Sequence, residues 1–257
     1  MGHYTWLTLL LEKFKGNLSR NAHMLGESFV GNRHGTWEDF EPITASLLVA
    51  VLLILIGMRV RSRLTKLEEA VVPDDQLTLR TFMEAFLGYF YDLSKSVMDA
   101  DRAKKYFPLI ASSACFVFFA NVMALIPGMP VPTSNLSITA GSALVVFIAF
   151  NAYGLITNGG AYLKHLAGPS PYLAPLMFPI EVISLCVRPV TLAVRLMVNM
   201  AVDHLVLTTF MALVAIIVPI PVMLLGCIVV VVQTLVFTLL TTIYIGLATE
   251  PMHHDHH

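Results

Sequence analysis

Charge is what this sequence holds least of. Of its 257 residues only 13% are Asp, Glu, Lys or Arg, while 56% are hydrophobic, and the mean hydropathy is +0.74. Soluble domains carry roughly 25% charged residues, so the composition excludes an ordinary water-soluble domain and implies an integral membrane protein. The formal net charge of −1 carries no message about acidic substrates, because the charges are segregated along the chain. No nucleic-acid partner is expected. Cysteine is scarce as well: Cys115, Cys186 and Cys227 each sit in an apolar run without CxxC spacing, which excludes a disulfide framework or a metal cluster and leaves small buried hydrophobes. Neither HExxH nor GxSxG occurs, so an intramembrane protease or lipid transferase lacks its motif. The start, MGHYTWLTLLLEKFKG, has no basic leader and no A-x-A-like site, and does not read as a signal peptide.

What is present is a succession of apolar runs. Residues 1–41 are mixed polar and aromatic, with Trp6 and Trp37 as interface anchors and Leu7–Leu11 within a short surface helix. The charge-free run from Pro42 to Met58 predicts a first span near 42–59. Arg59, Arg61, Arg63 and Lys66 follow it, which by the positive-inside rule makes that flank cytoplasmic and places the N-terminus outside. In the charged stretch 66–105, Leu79, Phe82, Phe86, Phe90, Leu93 and Val97 recur at helical spacing opposite Glu84, Asp92, Lys95 and Asp99. They predict an amphipathic helix at the cytoplasmic interface or against neighbouring helices. No charge occurs from Tyr106 to Leu163; the turn signal PGMPVPTSN at 127–135 divides that stretch into a hairpin of spans near 107–126 and 136–156.

The last apolar third is longer than spans require. Pro175 to Val218 would extend about 65 Å as a helix against a hydrocarbon core of about 30 Å, so it must tilt steeply or break at Pro179 or Pro189. Pro219-Ile220-Pro221 is expected to turn the chain into a second long helix, 222–248, followed by a polar tail, 251–257. The fold class is thus an all-α integral membrane protein: one N-terminal span, an interfacial amphipathic helix, a two-helix hairpin, and a long, steeply tilted C-terminal helical hairpin, with residues 42–250 as one membrane domain. The His-rich tail is assigned no site, since exposed tracts of that kind are usually solvated.

Between Lys164 and Glu250 only Glu181, Arg188, Arg195 and Asp203 are charged. At about 100° per residue, Glu181, Ser184, Arg188, Thr191, Arg195 and Asn199 share one narrow face of the predicted helix. An arginine facing lipid at bilayer depth costs at least about 2.5–3.5 kcal/mol, so such a residue faces protein or water and marks an ion or substrate path by default. No acid stands three or four residues from Arg195, so a local ion pair is unavailable; its counter-charge comes from elsewhere, another subunit included. The structural alternative is a guanidinium tied to a distant carboxylate or to backbone carbonyls. Arg188 could lie near the interface, where snorkelling is cheap. Asn199 and Gln233 can position water through paired donors and acceptors, and Gln233 and Tyr244 fall on nearly one face of the last helix. Thr234, Thr238 and Thr241 form an adjacent stripe that reads as structural, because threonines in membrane helices usually bond their own backbone. His204 suits either proton relay or a neutral helix contact.

The stretches FFANVMALIPG at 118–128, PTSNLSITAGSALVVF at 132–147, YLKHLAGP at 162–169, FPIEVISLCVRPVTLAVRLMVNM at 178–200 and VVVQTLVFTLLTTIYIGLATE at 230–250 together resemble subunit a of F-type ATP synthases. The resemblance covers about residues 40–250; its most specific part is the arginine in R-L-x-x-N-M with the glutamine and tyrosine on the last helix. It implies a stator subunit that conducts protons through two offset half-channels to and from carboxylates of the rotating c-ring, with c-ring and peripheral-stalk b subunits as partners. No cofactor and no covalent chemistry of its own are implied. Arg195 matches the family's essential arginine; Asn199, His204 and Gln233 match the outer half-channel; Glu181 and Thr191 match the opposite one, with Arg188 at a commonly basic position. Two departures stand out. Asp203 occupies a place usually held by a small residue, and Gly226 stands where many members carry a titratable group, so Asp203 is a candidate for the missing relay. The location implied is a bacterial plasma membrane with the C-terminus cytoplasmic. The rival reading is a self-contained channel or secondary transporter, weakened by the absence of matching repeats with broken helices.

Overall fold

The computed structural model describes residues 40–64, 78–126, 128–159, 162, 174–213 and 219–250. The features expected at 1–39, the basic residue Lys66 and the His-rich tail lie outside the described residues. Six α-helices account for nearly all of what is described: α1 Phe40–Leu64, α2 Leu79–Val97, α3 Ala100–Ala124, α4 Leu136–Asn158, α5 Ala174–Leu213 and α6 Pro219–Ala248. A short 3-10 turn, Pro132–Ser134, precedes α4. Five of the helices, all but α2, are long and apolar enough to cross a membrane. The chain is a multi-pass membrane protein by length and composition of its helices.

Local chemistry sets the helix ends. Thr78 is extended and its hydroxyl accepts from the Thr81 amide, capping α2. Part of the aromatic stripe of α2 packs inward: Phe86 lies 4.9 Å from both Phe90 and Phe118 of α3, centroid to centroid, whereas Leu79, Phe82 and Val97 of the same stripe are exposed, and Arg80, folded onto Glu84 at 2.8 Å, is buried. α3 begins at Ala100, so Asp101, Arg102, Lys104 and Lys105 form its first turns, ahead of the charge-free run that marks its buried length. Asn135 caps α4 by accepting from the Ser137 amide at 3.0 Å. At the other end Gly159 (φ 52°) reverses the chain in a conformation that favours glycine.

α5 runs 40 residues without a break, with Pro179 and Pro189 inside it. Of the two outcomes the sequence allowed, interruption at a proline does not occur. The Pro219-Ile220-Pro221 segment is also helical, forming the first turn of α6, where a missing N–H has no intrahelical partner to lose; the turn itself falls in residues outside those described. The core lies among α3, α4, α5 and α6, where Tyr106, Ile110, Phe150, Leu196, Met200, Phe237 and Ile245 are fully enclosed. α1 touches this body along one edge, through Val49 against Ala120 and Met123.

Two side chains tie down the end of α6. Asn158 of α4 donates to the carbonyls of Ala248 at 3.3 Å and Glu250 at 2.9 Å, and Arg102 of α3 donates to that of Gly246 at 3.4 Å. The last carbonyls of a helix lack intrahelical donors and carry the negative end of its dipole, so an amide and a guanidinium suit them. Replacing Asn158 with alanine should cost about 1 kcal/mol. A thermal or denaturant melt of the purified protein should show that loss; an unchanged midpoint would refute it.

Candidate proton-path site

The polar stripe of α5 is where the sequence placed it, and the structure shows what lies beneath it. Leu185, Leu192, Ala193, Leu196, Met200 and Leu207 form the buried side of α5. Ser184, Thr191, Arg195 and Asn199 are exposed on this chain, and Glu181, Arg188, Asp203 and His204 are half-buried. Around Arg195 the outer surface is apolar, with Val187, Val194, Val198 and Val202 exposed on α5 and Leu224, Ile228, Val231 and Val232 on α6. Among the described residues no carboxylate lies within ion-pair distance of Arg195. It neighbours Leu196 on the helix, and the core beneath is filled by Leu192, Leu196 and Phe237.

α5 and α6 are linked across their interface at two levels. Asn199 donates through Nδ2 to Gln233 Oε1 at 2.8 Å, and Gln233 is only 3% exposed. The Arg188 guanidinium stands over the Tyr244 ring, 5.2 Å from its centroid, a distance at which the ring's quadrupole attracts a cation. Stepping back along α5 from Asn199 to Arg188 matches an equal step forward along α6 from Gln233 to Tyr244, so the helices run antiparallel in constant register. Arg195 falls between the two links, at the level of the enclosed, apolar Phe237. Side chains that bond across the two helices thus lie on either side of the arginine, while the buried Thr234 and Thr238 near its level bond their own backbone. Thr191 is back-bonded to the Arg188 carbonyl at 2.9 Å. The threonines of α6 behave as read: Thr234, Thr238, Thr241 and Thr242 are buried, each donating to the carbonyl four residues earlier.

Asp203 meets Gly226. A Cβ built on Gly226 would lie 2.9 Å from Asp203 Oδ2 and 2.9 Å from Leu125 Cδ2, so the carboxylate occupies the space a side chain at 226 would need. The structure therefore brings together the two departures noted in the sequence. The His204 carbonyl accepts from the Thr208 hydroxyl at 2.9 Å.

Sequence reasoning missed one buried pair. Thr133 of the 3-10 turn donates to Asn121 Oδ1 of α3 at 2.8 Å; these side chains are 1% and 0% exposed, and Asn121 Nδ2 has no partner among the described residues. Leu125, one turn further along α3, is the residue that reaches Gly226. The unpaired amide thus lies about one helical turn along α3, roughly 5.4 Å of rise, from the level of Asp203. An unpaired buried donor calls for an acceptor such as water. The available signal was an asparagine in the middle of a charge-free apolar run.

A family model, ATP synthase A chain, matches residues 43–246. The chain belongs to that family. It is 57% identical over 255 residues to ATP synthase subunit a of Sorangium cellulosum, covering 99% of both chains. It is 43% identical over 176 residues to the subunit a of Sulfurihydrogenibium sp., covering 68% of this chain and 84% of that one. With the subunit a of Bdellovibrio bacteriovorus it shares 39% over 223 residues, covering 86% and 96%. The Asp203–Gly226 contact offers a direct check on the packing of α5 against α6. Gly226→Ala forces a Cβ into the carboxylate and Leu125 and should cost about 1–3 kcal/mol, the usual scale of overpacking. Pairing it with Asp203→Gly should recover part of that loss, read as folded protein in membranes; equal loss in the single and double variants would contradict the contact.

Proposed function

We propose that this member of the family is the stator subunit that passes protons through two offset half-channels to and from carboxylates on the rotating c-ring, so coupling an ion gradient to ATP synthesis. The observation that carries the reading is Arg195: an arginine exposed on an apolar helical face, with no acid within reach in its own described chain and polar links to either side. Left to lipid it would be costly. A partner that brings carboxylates to that face removes the cost, and the c-ring is such a partner. Beside Arg195 a ring carboxylate favours its ionised form, because an opposite charge stabilises it; away from the arginine and from water it must be neutral to cross hydrocarbon.

The two half-channels are assigned to the two sides of Arg195. Glu181, Thr191, Arg188 and Tyr244 lie toward the α5 N-terminus and serve the cytoplasmic side. Asn199, Gln233, Asp203 and His204 lie toward its C-terminus and serve the outer side, with Asn121 beside them. The shared level of Arg102, Asn158 and the end of α6 supports the orientation, since Arg102, Lys104 and Lys105 mark a cytoplasmic flank. In this orientation the C-terminus is cytoplasmic and the N-terminus outside, in a bacterial plasma membrane. α5, about 60 Å long in a core of about 30 Å, lies steeply tilted with α6 along the ring. Because Arg195 fills the gap, a proton cannot pass from one half-channel to the other and must ride the ring. Peripheral-stalk b subunits hold the subunit against rotation.

In inverted vesicles holding the assembled complex, Arg195→Ala should abolish ATP-driven proton pumping. Arg195→Lys should restore it incompletely, because a lysine is a compact charge that gives up its proton readily when buried. Normal pumping by Arg195→Ala would end this reading. In the same vesicles Asp203→Asn should lower pumping several-fold and alter its dependence on pH; a profile identical to wild type would remove Asp203 from the path.

A further inference from the structure

Past α4, whose C-cap Gly159 stands at positive φ, Tyr162 lies against α4. Its ring rests in the notch of Gly154: a Cβ there would stand 2.9 Å from Tyr162 Cε2 and 3.2 Å from Cζ, with the Ala248 carbonyl of α6 at 3.0 Å. Its hydroxyl donates to Asn151 Oδ1 at 3.0 Å. The Asn151 amide is oriented to receive it, because Nδ2 is engaged with the Phe147 carbonyl at 2.8 Å and leaves Oδ1 as acceptor. Ring, hydroxyl and amide are each fixed, and Asn151, inside an apolar helix, has no other evident task.

The location gives this docking a consequence. Tyr162 packs on the same core as Tyr153 and Tyr244, and Tyr244 carries the Arg188 guanidinium on its face. The Gly154 notch in which the ring rests is closed by the carbonyl of Ala248, one helical turn beyond Tyr244 on α6, and burial pushes the Tyr162 phenol up from its ordinary value. The phenol therefore stays protonated at physiological pH and keeps its bond to Asn151. Packing by itself would need the ring and the Gly154 notch, but not a half-buried asparagine held as an acceptor for the hydroxyl.

We infer that Tyr162, locked by Asn151 and Gly154, is a positioning residue that forms the fixed wall of the cytoplasmic half-channel near Tyr244 and the Arg188 guanidinium on its face. The inference rests on the proposed path. The ring is the wall, and the hydroxyl–amide bond sets where it stands.

The test compares ATP-driven pumping per assembled complex in vesicles bearing Tyr162→Ala, Tyr162→Phe, Asn151→Leu and the Tyr162→Phe/Asn151→Leu pair, beside Arg195→Ala. Tyr162→Ala should lower pumping per complex at least about three-fold, while Tyr162→Phe, which keeps the ring, retains more than half. The pair should be no worse than its more damaging single member, since both changes break one bond. Unchanged pumping per complex in Tyr162→Ala, with only the amount of complex reduced, would make Tyr162 a packing residue and overturn the inference, as would Tyr162→Phe as damaging as Tyr162→Ala. If Tyr162→Ala does not assemble, Asn151→Leu and the pair carry the test, and additive losses overturn it. Pumping by Arg195→Ala reports on the path itself: if it is normal, the path reading fails whatever Tyr162 does.

Discussion

A cationic side chain that cannot be left in hydrocarbon sets the terms for the rest of this molecule. Arg195 stands on an outward face of α5 with valines around it, and nothing in its own described chain neutralises it. The cost of such an arrangement is several kcal/mol, a large share of the net stability of a typical domain. A chain carries that cost only where the charge is used or is covered on assembly. The polar groups to either side, the unusual length of α5 and the apolar expanse across α5 and α6 are all intelligible as consequences of one exposed guanidinium.

What holds Arg195 in place is mostly apolar. Leu192, Leu196, Met200 and Phe237 close the seam under it, while the Asn199–Gln233 hydrogen bond and the Arg188–Tyr244 contact fix the register. Hydrogen bonds between membrane helices average only about 0.6 kcal/mol, so these links choose the alignment more than they supply stability. The α6 threonines make a useful contrast. Each satisfies its hydroxyl within its own helix, so this row of polar residues adds no demand for water. Asn121, whose Nδ2 has no acceptor among the described residues, does make that demand, one helical turn before the Leu125 that reaches Gly226.

Much of this was legible along the chain because membrane helices obey short-range rules. Length and lack of charge mark a span, period 3.6 marks the face that carries Glu181 to Asn199, and the same period separates the phenylalanines of α2 from its acids and lysine. Less legible were features that depend on a second helix. The start of α3 among charged residues, seven positions ahead of its apolar run, is invisible to a charge-free window, because a helix can extend beyond the membrane while its charges remain in water. The prolines were ambiguous for a related reason. Pro179 and Pro189 remove backbone hydrogen bonds in any setting, but whether a helix breaks there depends on what packs around it. Asn121 and Asn151 appeared as isolated amides in apolar runs, since their partners, Thr133 and Tyr162, arrive only through a turn and a chain reversal.

The sequence by itself determined that the protein is helical and membrane-embedded and that an arginine without a nearby acid lies on a polar stripe, because composition and periodicity are properties of one strand of chain; that Asp203 and Gly226 are out of pattern followed from the resemblance to a family. Only the tertiary structure decided that Asp203 fills the very space vacated at Gly226, that Asn199 answers Gln233 while Arg188 answers Tyr244, and that Tyr162 is locked against α4. Those facts rest on the relative register of helices distant in sequence, and register is set by how side chains interlock in three dimensions.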